Sequence, residues 1–315
     1  MNIIKVDAGT CFEKPCVATI GFFDGVHIGH QFLIRHVRDV AAEFGLDSMV
    51  VTFDRHPRQV LHSDYQPVML SSLDEKLAHL ASTDIDNCAL LQFNKHLASL
   101  SAHEFMEKVL LKQLNVKKLL IGYDNRFGHD ITESFDDYVR FGNDMGMDVI
   151  HNPAFEQNGV KVSSSVVRSY LLKGEVEIAA KCLGYNYTIS GMIVKGFQKG
   201  REMGFPTANL DVLDDSKLIP APGVYAVGVV IGGEKNVRRG MMNIGTRPTF
   251  NGDHITLETH ILHFDGNLYG KTISVNFVHR IREEQKFESE EALAEQLCRD
   301  EIMVEQQFDK DKEYE

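Results

Sequence analysis

Tryptophan is absent from this sequence of 315 residues, and only 8 residues are proline. No stretch approaches the roughly 18 consecutive apolar residues that a membrane-spanning helix needs. The first residues, MNIIKVDAGT, do not resemble a secretory signal, because Asp7 interrupts the apolar stretch. With 43% hydrophobic and 25% charged residues, the composition is globular and argues against wholesale disorder. We therefore expect a cytoplasmic protein that does not bind membranes.

Cysteine pairs with the spacing of a redox or zinc motif are also missing. The five cysteines are an odd number scattered along the chain, at Cys11, Cys16, Cys88, Cys182 and Cys298. This usage is typical of a reducing cytoplasm, with the thiols as packing residues.

Positive charge is in deficit. The sequence has 33 Lys and Arg against 45 Asp and Glu, which gives a formal net charge of −12. A protein that grips a nucleic-acid backbone over a broad basic face is therefore not expected. The same charge leaves room for a small anionic ligand held by a few residues.

The first half of the chain alternates short apolar runs with amphipathic stretches. CVATIGFF, QFLIRHVRDVAAEFG and SMVVTF predict a strand, a helix and a strand, and the alternation continues to the middle of the chain. This pattern predicts an α/β fold with a doubly wound parallel sheet.

The second half is rich in Gly and β-branched residues, as in GVYAVGVVIGG and KTISVNFVHRI. Short strands at close intervals predict a small antiparallel β-barrel, and EEALAEQLCRDEIMVEQQF predicts a C-terminal helix. We expect two domains, residues 1–184 and residues 185–315.

The segment TIGFFDGVHIGH stands where the first buried strand should turn into a helix. Three glycines allow close backbone approach, and the helix start offers N–H groups to a phosphate. His27 and His30 lie one turn apart, so both imidazoles are able to donate hydrogen bonds to an anion. A glycine-rich turn with two solvent-facing histidines is the alternative. A metal site is disfavoured, because no third ligand has suitable spacing nearby.

GFFDGVHIGH resembles the signature of the HxGH nucleotidyltransferases, and VTFDRHPRQVL with LSSLDEKLAHL resembles their FAD synthetase branch. The later segments IGYDNRFG and VSSSVVRSYLL fit the same module. The resemblance implies that His27 and His30 are catalytic and contact the triphosphate. It also implies a set of ATP- and phosphate-binding residues: Gly21, Phe23, Asp24, Gly29, Asp124, Arg126, Ser163, Ser164 and Arg168.

Four positions depart from that family's usual pattern. Arg55 stands in place of a proline, Asn125 in place of a phenylalanine, Ser165 in place of a threonine and Val166 in place of an arginine. These positions lie near the expected nucleotide and flavin pockets, so the departures concern affinity and substrate tolerance more than the class of reaction.

A second group of glycines surrounds basic residues in GMIVKGFQKGREMGFPTANL. Such a loop is able to fold over an anionic ligand with its N–H groups directed inward, although barrels also need glycine at their corners. Thr207 and Asn209 carry oxygens suited to Mg²⁺. Neither a dinucleotide-binding nor a P-loop glycine pattern is present.

GFPTAN resembles riboflavin kinase, as do PAPGVYAV, MNIGTRPTF, LETHILHFDGNLYGK and VHRIREEQKF. The resemblance implies that Glu258 is the general base, although its strand pattern alone indicates only a surface carboxylate. It implies that Thr207 and Asn209 hold the magnesium nucleotide and that Arg282 contacts the flavin. The remaining ATP- and flavin-binding residues it implies are Gly196, Gly200, Gly204 and Pro206.

The two resemblances cover nearly the whole chain in the order of the bacterial bifunctional riboflavin kinase/FAD synthetase family. They imply phosphorylation of riboflavin to FMN by MgATP, followed by adenylylation of FMN to FAD with release of pyrophosphate. Three alternatives remain: a nucleotidyltransferase with another acceptor, a flavin-binding regulatory protein without turnover, and nucleic-acid binding by the barrel. The last lacks support, because Lys235, Arg238 and Arg239 form only a small basic group.

Overall fold

The computed structural model describes residues 1–61, 67–122, 126–129, 133–157, 160–195, 204–249 and 252–312. The chain divides into two compact units, Met1–Ser164 and Ser165–Glu315. Within the described ranges, no helix combines the length and the apolar character that crossing a membrane requires.

The first unit is built on a six-stranded sheet in which every neighbouring pair is parallel. The spatial order is β1-β4-β3-β2-β5-β6. The strands are β1 (Asn2–Val6), β2 (Cys16–Ile20), β3 (Asp47–Phe53), β4 (Asn87–Leu91), β5 (Val116–Ile121) and β6 (Asp148–His151). A short antiparallel pair follows, β7 (Glu156–Gln157) with β8 (Val160–Lys161).

Helices cover both faces of this sheet, because its central strands are buried on both sides. Alternate residues of β2 enter different clusters: Ala18 packs with Phe105 and Leu110, whereas Val17 packs with Ile34 and Val37. The helices are α1 (Ile28–Phe44), α2 (Pro57–Leu61), α3 (Leu73–Ala81), α4 (Lys95–Ala98), α5 (Ala102–Phe105) with its π-helical continuation (Met106–Gln113), and α6 (Phe135–Met145). The predicted doubly wound α/β fold is confirmed.

The strand order reverses beside β2. The chain continues from β2 to β3 on one side, and β5 lies on the other side. Ligands of open α/β sheets bind outside the carboxyl ends of the strands at such a switch point. The residues that follow β2, from Gly21 to His30, are therefore placed where a ligand is expected.

The second unit contains a closed six-stranded antiparallel barrel in the order β10-β13-β12-β11-β14-β9. The elements are α7 (Ser164–Leu172), α8 (Val176–Leu183), β9 (Thr188–Val194), β10 (Ala208–Val212), β11 (Gly223–Ile231), β12 (Val237–Thr249), β13 (Gly252–Ile261), β14 (Thr272–Arg282) and α9 (Glu290–Lys312). The predicted barrel with a C-terminal helix is confirmed.

Strand β11 shows how the barrel is packed. Tyr225 and Val227 are fully buried, and they alternate with Val224 and Ala226. These two pack with Val304 of α9, so the C-terminal helix covers this outer face of the barrel.

Along the chain, the first compact unit ends at Ser164, whereas the predicted domain boundary follows Gly184. Helices α7 and α8 belong to the second unit through polar contacts with β14. The Glu177 carboxylate accepts a hydrogen bond from the Arg280 N–H at 3.0 Å and pairs with His279. The Arg280 guanidinium donates to the Lys173 carbonyl at 3.4 Å. The boundary between the two activities stays a prediction.

Candidate functional sites

The turn after β2 adopts backbone conformations that few residues tolerate. Phe23 is left-handed, with φ 56° and ψ 37°, and Gly25 has φ 74°. A Cβ atom on Gly21 would lie 3.1 Å from the Phe23 ring, so glycine allows this ring to fold back and be buried. The Phe23 ring meets the His30 ring edge to face, with centroids 5.1 Å apart.

Asp24 fixes the turn from inside the protein. Its carboxylate is 3% exposed and accepts hydrogen bonds from Leu70 N at 3.0 Å, Ser71 N at 3.0 Å and Ser71 Oγ at 3.1 Å. The Gly25 N–H donates to the same Ser71 hydroxyl at 3.0 Å. These contacts tie the turn to the segment that precedes α3. The carboxylate predicted to contact phosphate is therefore engaged with backbone N–H groups.

His27 and His30 are stacked at the start of α1, with ring centroids 3.6 Å apart and an angle of 18° between the planes. His27 caps the helix, because its Nδ1 accepts the His30 N–H at 3.3 Å. A neutral His27 therefore carries its proton on Nε2. A Cβ on Gly29 would lie 3.1 Å from His27 Nδ1 and 3.2 Å from the Val162 carbonyl, which explains the glycine between the two histidines.

The environment keeps His30 uncharged. Burial, and then the neighbouring His27 and Lys76, hold the pKa of His30 well below its usual 6.5. Its buried Nδ1 has no hydrogen-bond partner among the described residues. A neutral imidazole can still donate one N–H to a phosphate oxygen, so the pair of rings is suited to anion binding without a fixed positive charge.

Lys76 is a buried cation at this site that was not singled out within the segment LSSLDEKLAHL. Its Nζ donates to the Phe53 carbonyl at 2.8 Å and to the Phe22 carbonyl at 3.3 Å, and it lies 4.2 Å from the centre of the Phe22 ring. The residue is 2% exposed, and burial lowers the pKa of Lys76 to about 8, against the opposing effect of Asp24. Lys76 thereby joins the carboxyl ends of β2 and β3.

The remaining predicted phosphate-binding residues do not all lie beside the turn after β2. The Ser164 hydroxyl donates to the Asp24 carbonyl at 3.0 Å, so Ser164, the last residue of the first unit, lies beside the turn. Ser163 is half-buried, and Arg126 is exposed. Arg168 follows Ser164 by one helical turn and belongs to the second compact unit. Asp124 lies outside the described residues.

The second unit contains a cavity of about 270 Å³ between the barrel surface and α9. Its lining includes three of the predicted site residues, Thr207, Glu258 and Arg282. The Thr207 hydroxyl lies 3.5 Å from Glu258 Oε2. The other lining residues are Phe205, Val224, Met241, Asn243, His260, Glu284, Gln285, Phe287, Leu293 and Leu297. We call this space the α9 cavity.

A neighbouring cavity of about 400 Å³, which we call the loop cavity, lies beside the loop that joins β13 to β14. Thr207 lines both cavities, and Pro206 lines this one. His260 donates from Nδ1 to the Pro206 carbonyl at 2.9 Å, and Gly204 adopts φ 85° just before this segment. The predicted residues Gly196 and Gly200 lie outside the described residues.

Strand pairing brings distant residues into one row, and all of them except Asn209 line the α9 cavity. Glu258 is in register with Asn209 of β10 on one side and with Asn243 of β12 on the other. The register continues through Val224 to Arg282. Side chains of directly opposed residues point to the same face of a sheet. The row therefore passes from polar residues on β10, β13 and β12 to an apolar residue on β11.

Arg282 closes the row and is held by α9. Its Nε and Nη2 lie 2.8–3.1 Å from the Asp300 carboxylate, which is fully buried. Gln296 also donates to Asp300, at 2.8 Å. The guanidinium stands 5.7 Å from the centre of the Phe287 ring. Arg282 therefore joins β14 to α9 at the wall of the cavity.

Comparison with known proteins identifies the family of each half of the chain. A family model described as FAD synthetase matches residues 10–166, and one described as riboflavin kinase matches residues 183–308. Proteins named bifunctional riboflavin kinase/FMN adenylyltransferase are 38% identical in Escherichia coli K12, over 94% of each chain, and 34% identical in Bacillus subtilis 168, over 91% of each chain. The chain belongs to this family. The assignment made from the sequence motifs is confirmed.

A solved structure from Streptococcus pneumoniae has the same two-part fold as this member of the bifunctional family. Its TM-score is 0.89 with 32% identity, and the match covers 97% of this chain and 99% of the other. That protein is named a macrolide-efflux protein.

Of the four departures from the family's usual pattern, three lie in the described part of the chain. Arg55 pairs with the adjacent Asp54 at 3.1 Å, and Asp54 also accepts the Phe93 N–H at 2.9 Å. Ser165 is exposed and Val166 is half-buried on α7. Asn125 lies outside the described residues.

Lys76, Asn243 and Asp300 are among the described residues at the two sites that were not singled out from the sequence. Two local signals were available for Lys76: it lies within LSSLDEKLAHL, and it occupies an inward position of an amphipathic helix, where a lysine is unusual. Asn243 lies within MNIGTRPTF, where the resemblance assigned it no role, and Asp300 belongs to an ordinary helix pattern. Their importance depends on register and on partners far along the chain.

Proposed function

We propose that the second unit phosphorylates riboflavin to FMN with MgATP, and that the first unit transfers AMP from a second ATP to FMN and releases pyrophosphate. The family matches fall in that order along the chain, and each compact unit contains its own candidate site. Riboflavin, FMN, FAD and ATP are the substrates and products that fit the family.

The observation that carries the kinase proposal is that Thr207 lines two cavities and stands beside Glu258. A phosphoryl transfer needs donor and acceptor on either side of one reacting centre. We assign riboflavin to the α9 cavity and ATP to the loop cavity. The carboxylates Glu258 and Glu284 in the α9 cavity would repel a triphosphate, whereas riboflavin is uncharged.

In this arrangement Glu258 accepts the proton of the riboflavin 5′-hydroxyl as its oxygen attacks the γ-phosphorus. The bond from that phosphorus to the ADP oxygen breaks, and ADP leaves. We assign Gly204 and Pro206 to the nucleotide, and the nucleotide contacts of Gly196 and Gly200, which lie outside the described residues, stay predictions from the resemblance. Arg282, fixed by Asp300, contacts the flavin ring at the apolar end of the cavity.

The residues present fit a magnesium ion that is shared with the nucleotide. The described part of the chain contains no group of three or more His, Cys, Asp or Glu side chains that would hold a metal by themselves. Mg²⁺ commonly keeps waters and substrate phosphate oxygens as most of its ligands. Thr207 and Asn209 supply a hydroxyl and an amide oxygen for the remaining positions. When bound, the ion neutralises charge on the phosphates.

For adenylylation, we assign His27 and His30 to the triphosphate of ATP. A phosphate oxygen of FMN attacks the α-phosphorus, and the bond to the β-phosphate bridging oxygen breaks. The imidazoles donate hydrogen bonds as charge builds on the phosphates. Gly21, Phe23 and Gly29 shape the turn, Asp24 holds it, and the Ser164 hydroxyl donates to the Asp24 carbonyl. The phosphate contacts of Ser163 and Arg126 are assigned from the resemblance. The phosphate contacts of Asp124 and Arg168 stay predictions from the resemblance.

The chain's expected location is the cytoplasm, where ATP is available and thiols stay reduced. The described cysteines form no disulfide, and burial raises the pKa of the Cys16 thiol to about 12 and of Cys88 to about 11. Such thiols are unreactive packing groups. We expect small molecules, rather than nucleic acid or membranes, as the partners of both sites.

The test is product chromatography after incubation with MgATP and either riboflavin or FMN. The wild-type chain should form FMN and FAD from riboflavin, and FAD from FMN. Glu258→Gln should lose FMN formation and keep FAD formation from supplied FMN. His30→Asn and His27→Asn, the latter retaining a side chain able to cap α1, should do the reverse.

Three outcomes would contradict the proposal. Flavin binding without any product would indicate a regulatory protein. Transfer of AMP to an acceptor other than FMN would indicate a different nucleotidyltransferase. Loss of both activities in every variant would show that the two sites are not independent.

A further inference from the structure

Glu258 lies between two asparagines, and only Asn209 was singled out in the sequence. Asn243 is the direct cross-strand neighbour of Glu258 on β12 and lines the α9 cavity. It is half-buried, and no hydrogen bond to its side chain is found among the described residues. A polar amide that is partly withdrawn from water without a protein partner is a candidate for ligand binding.

The surroundings of Asn243 keep space open beside its amide. A Cβ on Gly245 would lie 3.2 Å from Asn243 Nδ2 and 2.6 Å from Glu284 Oε1, so any side chain there would crowd both groups. Arg282, the cation of the same row, is already engaged by Asp300. Asn243 is therefore placed to face the contents of the cavity.

The row also indicates which part of an acceptor Asn243 would meet. Neighbouring strands are about 4.8 Å apart, a distance that a few carbon atoms of the riboflavin polyol chain can span. If the terminal hydroxyl of riboflavin lies at Glu258, the middle of its polyol chain lies at Asn243. The flat ring then reaches Val224, Phe287 and the α9 leucines, where the lining is apolar.

We propose that Asn243 is a substrate-binding residue of the kinase, whose amide hydrogen-bonds the middle hydroxyls of the polyol chain and so holds the terminal hydroxyl at Glu258. This rests on the proposed kinase function of the second unit. A carboxamide suits the task, because adjacent hydroxyls each donate and accept, and the amide offers both an oxygen acceptor and N–H donors.

The experiment compares two acceptors in wild-type protein and in Asn243→Leu. One acceptor is riboflavin, and the other is a flavin with an unbranched 5-hydroxypentyl chain, which keeps the terminal hydroxyl and lacks the middle ones. Asn243→Leu should lower kcat/KM for riboflavin by about 10- to 100-fold, the effect of one or two hydrogen bonds. For the hydroxypentyl flavin, kcat/KM should change by less than about threefold.

Asn276→Leu is the matched control. Asn276 is a half-buried asparagine on barrel strand β14, outside the lining of both cavities, and it accepts a hydrogen bond from Thr188 Oγ1 at 2.7 Å. Its replacement should leave the preference between the two acceptors unchanged. Equal losses on both acceptors in Asn243→Leu would indicate a purely structural role and would overturn the proposal.

Flavin fluorescence separates this proposal from the function on which it rests. If the wild-type chain binds riboflavin but forms no FMN, the kinase proposal fails, and the Kd values of the two flavins still test Asn243. In that case, Asn243→Leu should weaken riboflavin binding selectively. Unchanged Kd values would remove Asn243 from the site.

Discussion

Each compact unit buries one aspartate close to its candidate site, and the two carboxylates are held in different ways. Asp24 accepts hydrogen bonds from the N–H groups of Leu70 and Ser71 and from the Ser71 hydroxyl. Asp300 faces the Arg282 guanidinium and also accepts from Gln296. The first carboxylate accepts hydrogen bonds from neutral groups of a loop and interacts electrostatically with Lys76, whereas the second forms a hydrogen-bonded ion pair with a cation on the cavity wall.

This difference determines what each aspartate controls. Asp24 fixes the shape of the turn to which we assign the phosphates of ATP. Asp300 fixes a helix to a strand and orients an arginine that lines the α9 cavity. A buried charge held by N–H groups depends on loop geometry, and a buried ion pair depends on both partners being present.

The largest effect is expected from Asp300→Ala. It leaves the mostly buried Arg282 without its anion, so the second unit should lose about 3 to 5 kcal/mol of unfolding free energy and FMN formation should fall. Hydrogen exchange of the barrel amides measures the stability. FAD formation from supplied FMN should persist.

The double variant Asp300→Leu with Arg282→Met tests whether the loss comes from an uncompensated charge. Its barrel should be more stable than that of Asp300→Ala, because both charges are removed together. A double variant as unstable as the single one would show that packing, and not charge pairing, holds α9.

The first unit also buries a cation, Lys76, but carbonyl oxygens hold it. Because burial lowers the pKa of Lys76 to about 8, the folded state releases its proton before the unfolded state does. Between pH 8 and about 10.5 the unfolded chain binds more protons than the folded chain, so the unfolding free energy increases with pH in this window. Below pH 8 the folded state bears the full cost of burying the charged Lys76. Wild-type unfolding free energy, relative to Lys76→Met, should increase by about 3 kcal/mol across this range.

Hydrogen exchange or urea unfolding followed by circular dichroism at several pH values measures this difference. Lys118→Met is the control, since Lys118 pairs with Asp148 on the sheet edge and its effect should not follow the same curve. Parallel pH curves for the wild type and Lys76→Met would exclude a lysine that titrates at low pKa in the folded state.

A smaller effect is expected from Asp24→Asn. One carboxylate oxygen becomes an NH₂ group facing backbone donors, so the first unit should lose about 2 kcal/mol and FAD formation should fall while FMN formation persists. Asp148→Asn removes an exposed pairing with Lys118 and should change the unfolding free energy by less than about 1 kcal/mol. Equal effects of the two substitutions would mean that burial does not distinguish Asp24.

The comparison also shows which features a sequence reveals. Local patterns predicted the parallel sheet, the barrel and the glycine-rich turns, because periodicity and turn chemistry are written in adjacent residues. The stacking of His27 on His30 follows from their spacing and the glycine between them. The carbonyls that hold Lys76 lie at the ends of two other strands, and strand register places Asn243 beside Glu258. Neither contact can be seen in a local sequence pattern.

The smallest change in stability is expected from Gly29→Ala, although it acts on the same turn as Asp24. Alanine is favoured over glycine within a helix, but its Cβ would lie 3.1–3.2 Å from the His27 ring and the Val162 carbonyl. These effects should nearly cancel in unfolding free energy. The His27 ring, however, must shift by a few tenths of an ångström, and FAD formation should fall about 10-fold.

Gly45→Ala should show the opposite result, a loss of stability without a loss of FAD formation. Gly45 ends α1 with φ 65°, and a Cβ there meets nothing within 4 Å, so alanine should cost about 1 kcal/mol of backbone strain and leave FAD formation unchanged. Steady-state rates of FAD formation and unfolding free energies for the two variants test this reversal. If activity followed stability in both, the glycine in the histidine motif would serve folding alone, and the close approach to His27 would have no part in positioning the phosphates.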